Sequence, residues 1–136
     1  MEPANIKELQ LAYATMQEVL AEVKKVVHGK DECVEKVFAA ILARGHILIE
    51  DVPGVGKTTL AVAFSKTMEL DNQRVQFTPD VQPSDILGFS MYHKESGEFV
   101  YKPGPILSNL FLADEINRTS PKTQSALLEV MEEGMV

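Results

Sequence analysis

Apolar residues recur at steps of three and four through the first 27 positions: Ile6, Leu9, Tyr13, Met16, Leu20, Val23 and Val27. That spacing predicts an amphipathic helix over residues 5–27, with Asn5 as N-cap and Gly29 as its stop. A second helix is expected over 30–44, with Val34, Val37, Phe38, Ile41 and Leu42 on one face and Gly45 ending it. The rhythm then changes. The short apolar run HILIE, residues 46–50, reads as a buried strand, and a helix follows from about 56 to 68.

Further on, RVQFTPD (74–80) predicts another short strand, closed by Pro79. Residues 83–89 predict one or two helical turns with Ser84 as N-cap. Apolar and polar positions alternate on both sides of Glu95-Ser96-Gly97, with Tyr92 before the turn and Phe99 and Tyr101 after it, which is a hairpin pattern. The run LSNLFLADE (107–115) reads as a third core strand. Ser120-Pro121 then opens a helix to about Glu133, an N-cap followed by proline in the first turn. Strands alternating with helices indicate an α/β domain with a parallel sheet. Residues 1–28 are expected to form an N-terminal helix and linker, and 29–136 the domain itself.

The corner between the strand 46–50 and the helix after it carries the first chemical signal. The pattern G-x-x-x-x-G-K-[ST] describes a loop whose backbone N–H groups surround a di- or triphosphate. Gly54, Val55, Gly56, Lys57 and Thr58 fill its last five positions, flanked by Pro53 and Thr59. Glycines permit positive φ and let the backbone approach phosphate oxygens closely. The helix adds unpaired N–H groups and about half a positive charge at its N-terminus. Lys57 is placed for the terminal phosphates and the Thr58 hydroxyl for a magnesium ion. Asp51 stands where the pattern has its first glycine. At ~8 Å and an effective dielectric near 20, its repulsion would be roughly 2 kcal/mol per phosphate charge. Micromolar binding is worth about −8 kcal/mol, so the substitution weakens the loop without abolishing it.

The second signal ends the strand 107–115. Two carboxylates, Asp114 and Glu115, follow an apolar run. Asp114 would orient a water of the magnesium shell, with Thr58 on the metal directly. Glu115 would act as general base on the attacking water, while Lys57 spreads the charge of the transferring phosphoryl group.

Composition narrows the class without changing it. The chain has 136 residues, 45% of them apolar and 24% charged, enough to bury a real core. No stretch approaches the ~18–20 apolar residues of a membrane span and no signal-like N-terminus is present, so a cytoplasmic protein is the default. A net charge of −7 with no basic block argues against duplex nucleic acid as a partner. Cys33 is the single cysteine and reads as a small core or boundary residue. His46 and His93 have no partner spacing for a metal.

With both halves of the site in place, the chain resembles the MoxR family of AAA+ ATPases. The resemblance rests on VVHGKDE (26–32), GHILIEDVPGVGKTTL, VQFTPDVQPSDILG, GEFVYKPGPI and NLFLADEINRTSPKTQSALLEVMEE, and covers nearly everything from Val26 onward. Lys30 departs from the glutamine usual in the family's first segment. The resemblance implies a three-layer P-loop NTPase fold of sheet order 5-1-4-3-2, with a β-hairpin inserted in helix 2 at residues 90–102. It implies ATP and Mg²⁺ as cofactors and an adenine pocket around Val27, His28 and Gly29. It also implies a ring-shaped homo-oligomer, usually hexameric, that remodels, matures or inserts metal or cofactor into client proteins, often with a von Willebrand factor A domain partner. The family's fourth and fifth strands, arginine finger and helical lid would lie beyond Val136. The parallel sheet is therefore expected to be incomplete, with the strand 46–50 either about 10 Å from 109–113, two ladder spacings, or paired to it directly. Hydrolysis by these 136 residues alone is not expected.

Three readings stay open. Asn117 and Arg118 either reach a neighbouring subunit's nucleotide or shape the turn and pair with nearby acids. Phe99 and Tyr101 either contact clients or pack the hairpin on its own domain. The chain is either an ATPase or a nucleotide-binding fragment that does not hydrolyse, and a magnesium-chelatase type of motor would share the same site.

Overall fold

The computed structural model describes residues 5–50 and 56–134. They form two compact units, Met1–Leu70 and Asp71–Val136, each with its own buried residues.

The first unit is helical. Helix α1, Ile6–Val26, starts at Asn5, whose side-chain oxygen accepts from the Lys7 N–H at 3.0 Å. Helix α2 is Asp31–Leu42 and α3 is Lys57–Thr67. Gly29, with φ of 74°, turns the chain between α1 and α2, as its glycine placement predicts. Helix α1 packs on both α2 and α3. Val23, Val34, Val37, Phe38, Leu60, Ala63 and Phe64 are buried, and the Phe38 and Phe64 rings stack at 5.9 Å between centroids. Each large apolar side chain so buried contributes about 1.5–3 kcal/mol. Lys24 Nζ meets Glu35 Oε1 at 2.9 Å and ties α1 to α2, a contact that raises the lysine's pKa.

The apolar run 46–50 departs from expectation. It forms no strand: residues 45–50 carry no regular structure, and Leu48 is 75% exposed. A strand exists only as one side of a hydrogen-bonded ladder. In the order 5-1-4-3-2 the partners of this segment are the fourth and fifth strands, and no described residue takes their place.

The second unit holds the parallel sheet in its incomplete form. Strand β1, Asn72–Gln76, pairs in parallel with β4, Leu110–Asp114, in the register Arg74↔Leu112 and Gln76↔Asp114. The adjacency follows the 4-3-2 edge of the expected order. Between them lie the short helix α4, Pro83–Leu87, and the antiparallel hairpin of β2, Gly88–His93, and β3, Glu98–Pro103. The insertion is where the pattern of residues 90–102 puts it. At its base the chain segments nearly touch: a Cβ on Gly104 would lie 2.2 Å from the Ile86 carbonyl oxygen, so only glycine fits. The Tyr101 hydroxyl donates to the Leu87 carbonyl across the same base.

Helix α4 is capped by Gln82, not Ser84. Pro83 takes the first helical position, where its missing N–H costs nothing, and the Asp85 carboxylate accepts from the Gln82 N–H at 2.8 Å. After β4 comes a 3-10 turn, Ile116–Arg118, and then helix α5, Pro121–Glu133, capped by Ser120 as its sequence predicts. Phe77, Ile86 and Leu127 form the buried centre, with Val75, Phe111 and Ala113 against it. Thr123 is buried and donates to the Val81 carbonyl at 2.9 Å, anchoring α5 to the segment after β1. No helix among the described residues is long and apolar enough to cross a membrane.

Candidate nucleotide site

The two groups of candidate residues fall one in each unit. In the first unit, Gly56 caps α3 in the left-handed conformation, φ 82° and ψ 24°. Glycine adopts this at no steric cost, and it lets the chain enter the helix abruptly. Lys57 is the first helical residue, with Thr58 and Thr59 behind it. The helix is fixed from its other side by buried Leu60, Ala63 and Phe64. No acidic residue stands in its first turn, so nothing there offsets the positive end of the helix. Pro53, Gly54 and Val55, and with them Asp51, lie outside the described residues.

Val27, Gly56 and Lys57 line one pocket, together with Cys33, Val34, Ile49 and Leu60. The segment expected to face adenine thus shares a wall with the segment expected to face phosphate. Val27 contributes through its position at the end of α1, whereas His28 is exposed and does not line the pocket. Gly29 makes the turn behind it. Thr58 and Thr59 border a separate groove with Val26, Val62 and Lys66. The helix therefore presents Lys57 and Thr58 to different concavities.

In the second unit, the acidic pair sits where β4 ends. Asp114 is the last strand residue, and its carbonyl accepts from the Phe77 N–H at 2.8 Å, which pins the strand end. Glu115 follows in the left-handed region, φ 57° and ψ 44°, a conformation that costs a non-glycine residue about 1–2 kcal/mol. Strain of that kind concentrates at functional positions. The abrupt change of direction separates two adjacent carboxylates, and each meets its own arginine. Arg74 reaches Asp114 Oδ2 at 2.7 Å, and Arg118 reaches Glu115 Oε2 at 2.8 Å.

The residue pattern gave no sign of the first of these pairs. Arg74 lies 40 positions from Asp114, and only the strand register brings them together. The second pair realises one of the two readings left open for Arg118, a bond to a neighbouring acid. Cys33 also gains a setting, since it is half-buried on the wall of the Lys57 pocket, a boundary residue as expected. Among the described residues no cluster of His, Cys, Asp and Glu could by itself hold a metal.

Comparison with known proteins defines the lineage. Residues 46–136 match the family described as the ATPase family associated with various cellular activities. The chain is 57% identical over 114 residues to the uncharacterized protein YeaC of Bacillus subtilis, covering 84% of this chain and 36% of that protein. It is 42% identical over 134 residues to the chaperone MoxR1 of Mycobacterium tuberculosis, covering 98% of this chain and 36% of that one. The crystal structure of a putative ATPase from Cytophaga hutchinsonii superposes with a TM-score of 0.74 at 45% identity, covering 93% of this chain and 40% of the other. The chain thus spans little more than a third of the length of these two relatives. With its hairpin insertion, parallel β1–β4 pair and glycine-capped α3, it belongs to the AAA+ ATPases and, within them, to the MoxR family.

Proposed function

We propose that this chain supplies the phosphate-binding and acidic half of a MoxR-type motor that binds magnesium-ATP and hydrolyses it to ADP and phosphate. The observation that carries the reading is the start of α3: a left-handed glycine, then Lys57, Thr58 and Thr59 at a helix end with no acid in its first turn. Such an end accepts an anion through backbone N–H groups and the helix dipole. Residues 53–59 form the phosphate loop, Val27, His28 and Gly29 the adenine side, and residues 29–136 the nucleotide-binding body behind the helix and linker of 1–28.

The roles divide by chemistry. Lys57 places a full positive charge on the terminal phosphates. The Thr58 hydroxyl and the Asp114 carboxylate are hard oxygen donors, the kind that fits Mg²⁺ with its retained waters. When bound, that ion neutralises charge on the phosphate oxygens. Glu115 accepts a proton from the attacking water, once its carboxylate is turned from Arg118 to that water. The whole protein then works as a homo-oligomeric ring, with six subunits as the family's usual number. Its task is chaperone-like remodelling or cofactor insertion on client proteins, with a von Willebrand factor A domain protein as a candidate partner.

Magnesium-ATP is expected to raise the melting temperature of the full-length protein, and Lys57→Ala to remove that shift. A mutant that keeps the full shift would defeat the assignment. The Glu115–Arg118 pair favours one second reading, a chain that binds nucleotide without turning it over, because the base is engaged elsewhere. Phosphate release separates the two: turnover lost in Glu115→Gln with binding kept supports hydrolysis, and no release from the unaltered protein supports the second.

A further inference from the structure

One face of the β1–β4 ladder is committed to the core of its unit, through Val75, Phe77, Phe111 and Ala113. Residues alternate between faces along a strand, so Arg74 and Asp114 share the other. Their Cα positions differ by two residues of register, about 6.6 Å along the strand. The arginine side chain spans this and ends with one nitrogen on one carboxylate oxygen, Oδ2, at 2.7 Å. The two partners are unequally held. Asp114 is 23% exposed and fixed at the strand end, whereas Arg74 is 46% exposed and carries its charge at the tip of a flexible stem.

We propose that Arg74 is the counter-cation of the magnesium site: it competes with the metal for Asp114 and sets the magnesium concentration at which nucleotide binds tightly. The proposal rests on reading Asp114 as the magnesium carboxylate. Its logic is the sign of the charges. A guanidinium in contact with a carboxylate lowers that group's attraction for any other cation, and a divalent ion on the same carboxylate repels the guanidinium in turn. The two cations thus weaken each other's hold on Asp114, and the more exposed arginine is the one freer to move away. An alternative role as a simple tie between β1 and β4 would make the pair indifferent to magnesium.

The test titrates magnesium chloride against binding of a fluorescent ADP to the full-length protein, comparing unaltered protein with Arg74→Met, Arg74→Gln and Arg74→Lys. Removing the charge should lower the half-saturating magnesium concentration by up to about fivefold, the range of a half-exposed ion pair. Arg74→Lys, which keeps a cation, should stay near the unaltered value. Nucleotide affinity in excess EDTA should be equal in all four, which also reports an intact fold. A midpoint that is unchanged or raised in both neutral variants would overturn the proposal. Unaltered protein that binds the nucleotide with no response to magnesium would instead overturn the reading of Asp114 on which it stands.

Discussion

Two helices in this molecule begin in opposite ways. Helix α5 opens with Ser120, whose Oγ accepts from the Thr123 N–H at 3.3 Å, so part of its N-terminal donor set is satisfied internally. Helix α3 opens with Gly56, which has no side chain to offer, and follows it with a lysine. The first is a helix start that serves the fold. The second has neither a side-chain cap nor an acid in its first turn. The acidic pair makes the same contrast from the other side, since Asp114 and Glu115 are each already matched by an arginine. The start of α3 thus has no acid in its own first turn, whereas the acidic pair carries anions held in check.

The largest expected effect falls on Glu115. If it is the general base, Glu115→Gln should lower turnover of the full-length protein about 10²- to 10⁴-fold while leaving nucleotide affinity near its original value. Equal losses in turnover and binding would place Glu115 in structure rather than in chemistry. Lys57→Ala should come next, weakening ATP about 10- to 100-fold, which is the worth of a charge-assisted hydrogen bond of about 1.5–3 kcal/mol. Isothermal titration measures it, and an unchanged affinity would erase the distinction between the two helix starts.

How much of this was legible in the chain follows the range of the interactions. The α1 helix, the Ser120-Pro121 start and the hairpin around Glu95-Ser96-Gly97 depend on neighbours within a few positions, and the structure has all three, though of the α1 stripe only Val23 is buried. Ser84 failed as a cap because Gln82 and Asp85 close the turn around Pro83, a competition that side-chain type alone does not decide. The segment 46–50 has the apolar content of a strand, yet a strand also needs partners, and those are distant in sequence. The site divides the same way. Gly56, Lys57, Thr58, Asp114, Glu115 and Arg118 stand in short recognisable strings, whereas Arg74 does not. Arg74 meets Asp114 only through a register that no local pattern encodes.

Gly56→Ala probes the backbone side of the contrast. Among the described residues space is not the obstacle, since the nearest atom to an added Cβ is 4.0 Å away. The φ of 82° is, and holding alanine there costs about 1–2 kcal/mol. A chain that relaxes this strain must shift the first turn of α3 and with it Lys57. ATP affinity should therefore fall more than the melting temperature does. A drop in melting temperature with affinity intact would mean that the turn shapes the fold and not the ligand.

The smallest effect is expected at Ser120. Its oxygen also lies 3.2 Å from the Thr123 hydroxyl, which itself donates to the Val81 carbonyl, so the cap belongs to a short polar chain that seats α5. Ser120→Ala leaves the Thr123 N–H without its side-chain acceptor, and chemical denaturation should show a loss of about 1 kcal/mol. Ser120→Asp restores an acceptor and adds a charge that suits a helix start, so it should recover that loss. The acidic cap at α5 should leave ATP affinity untouched, because this N-terminus is spent on its own chain. If Ser120→Asp altered nucleotide binding as well, the two helix starts would no longer be separable by function, and the anion-binding role would have to be shared between them.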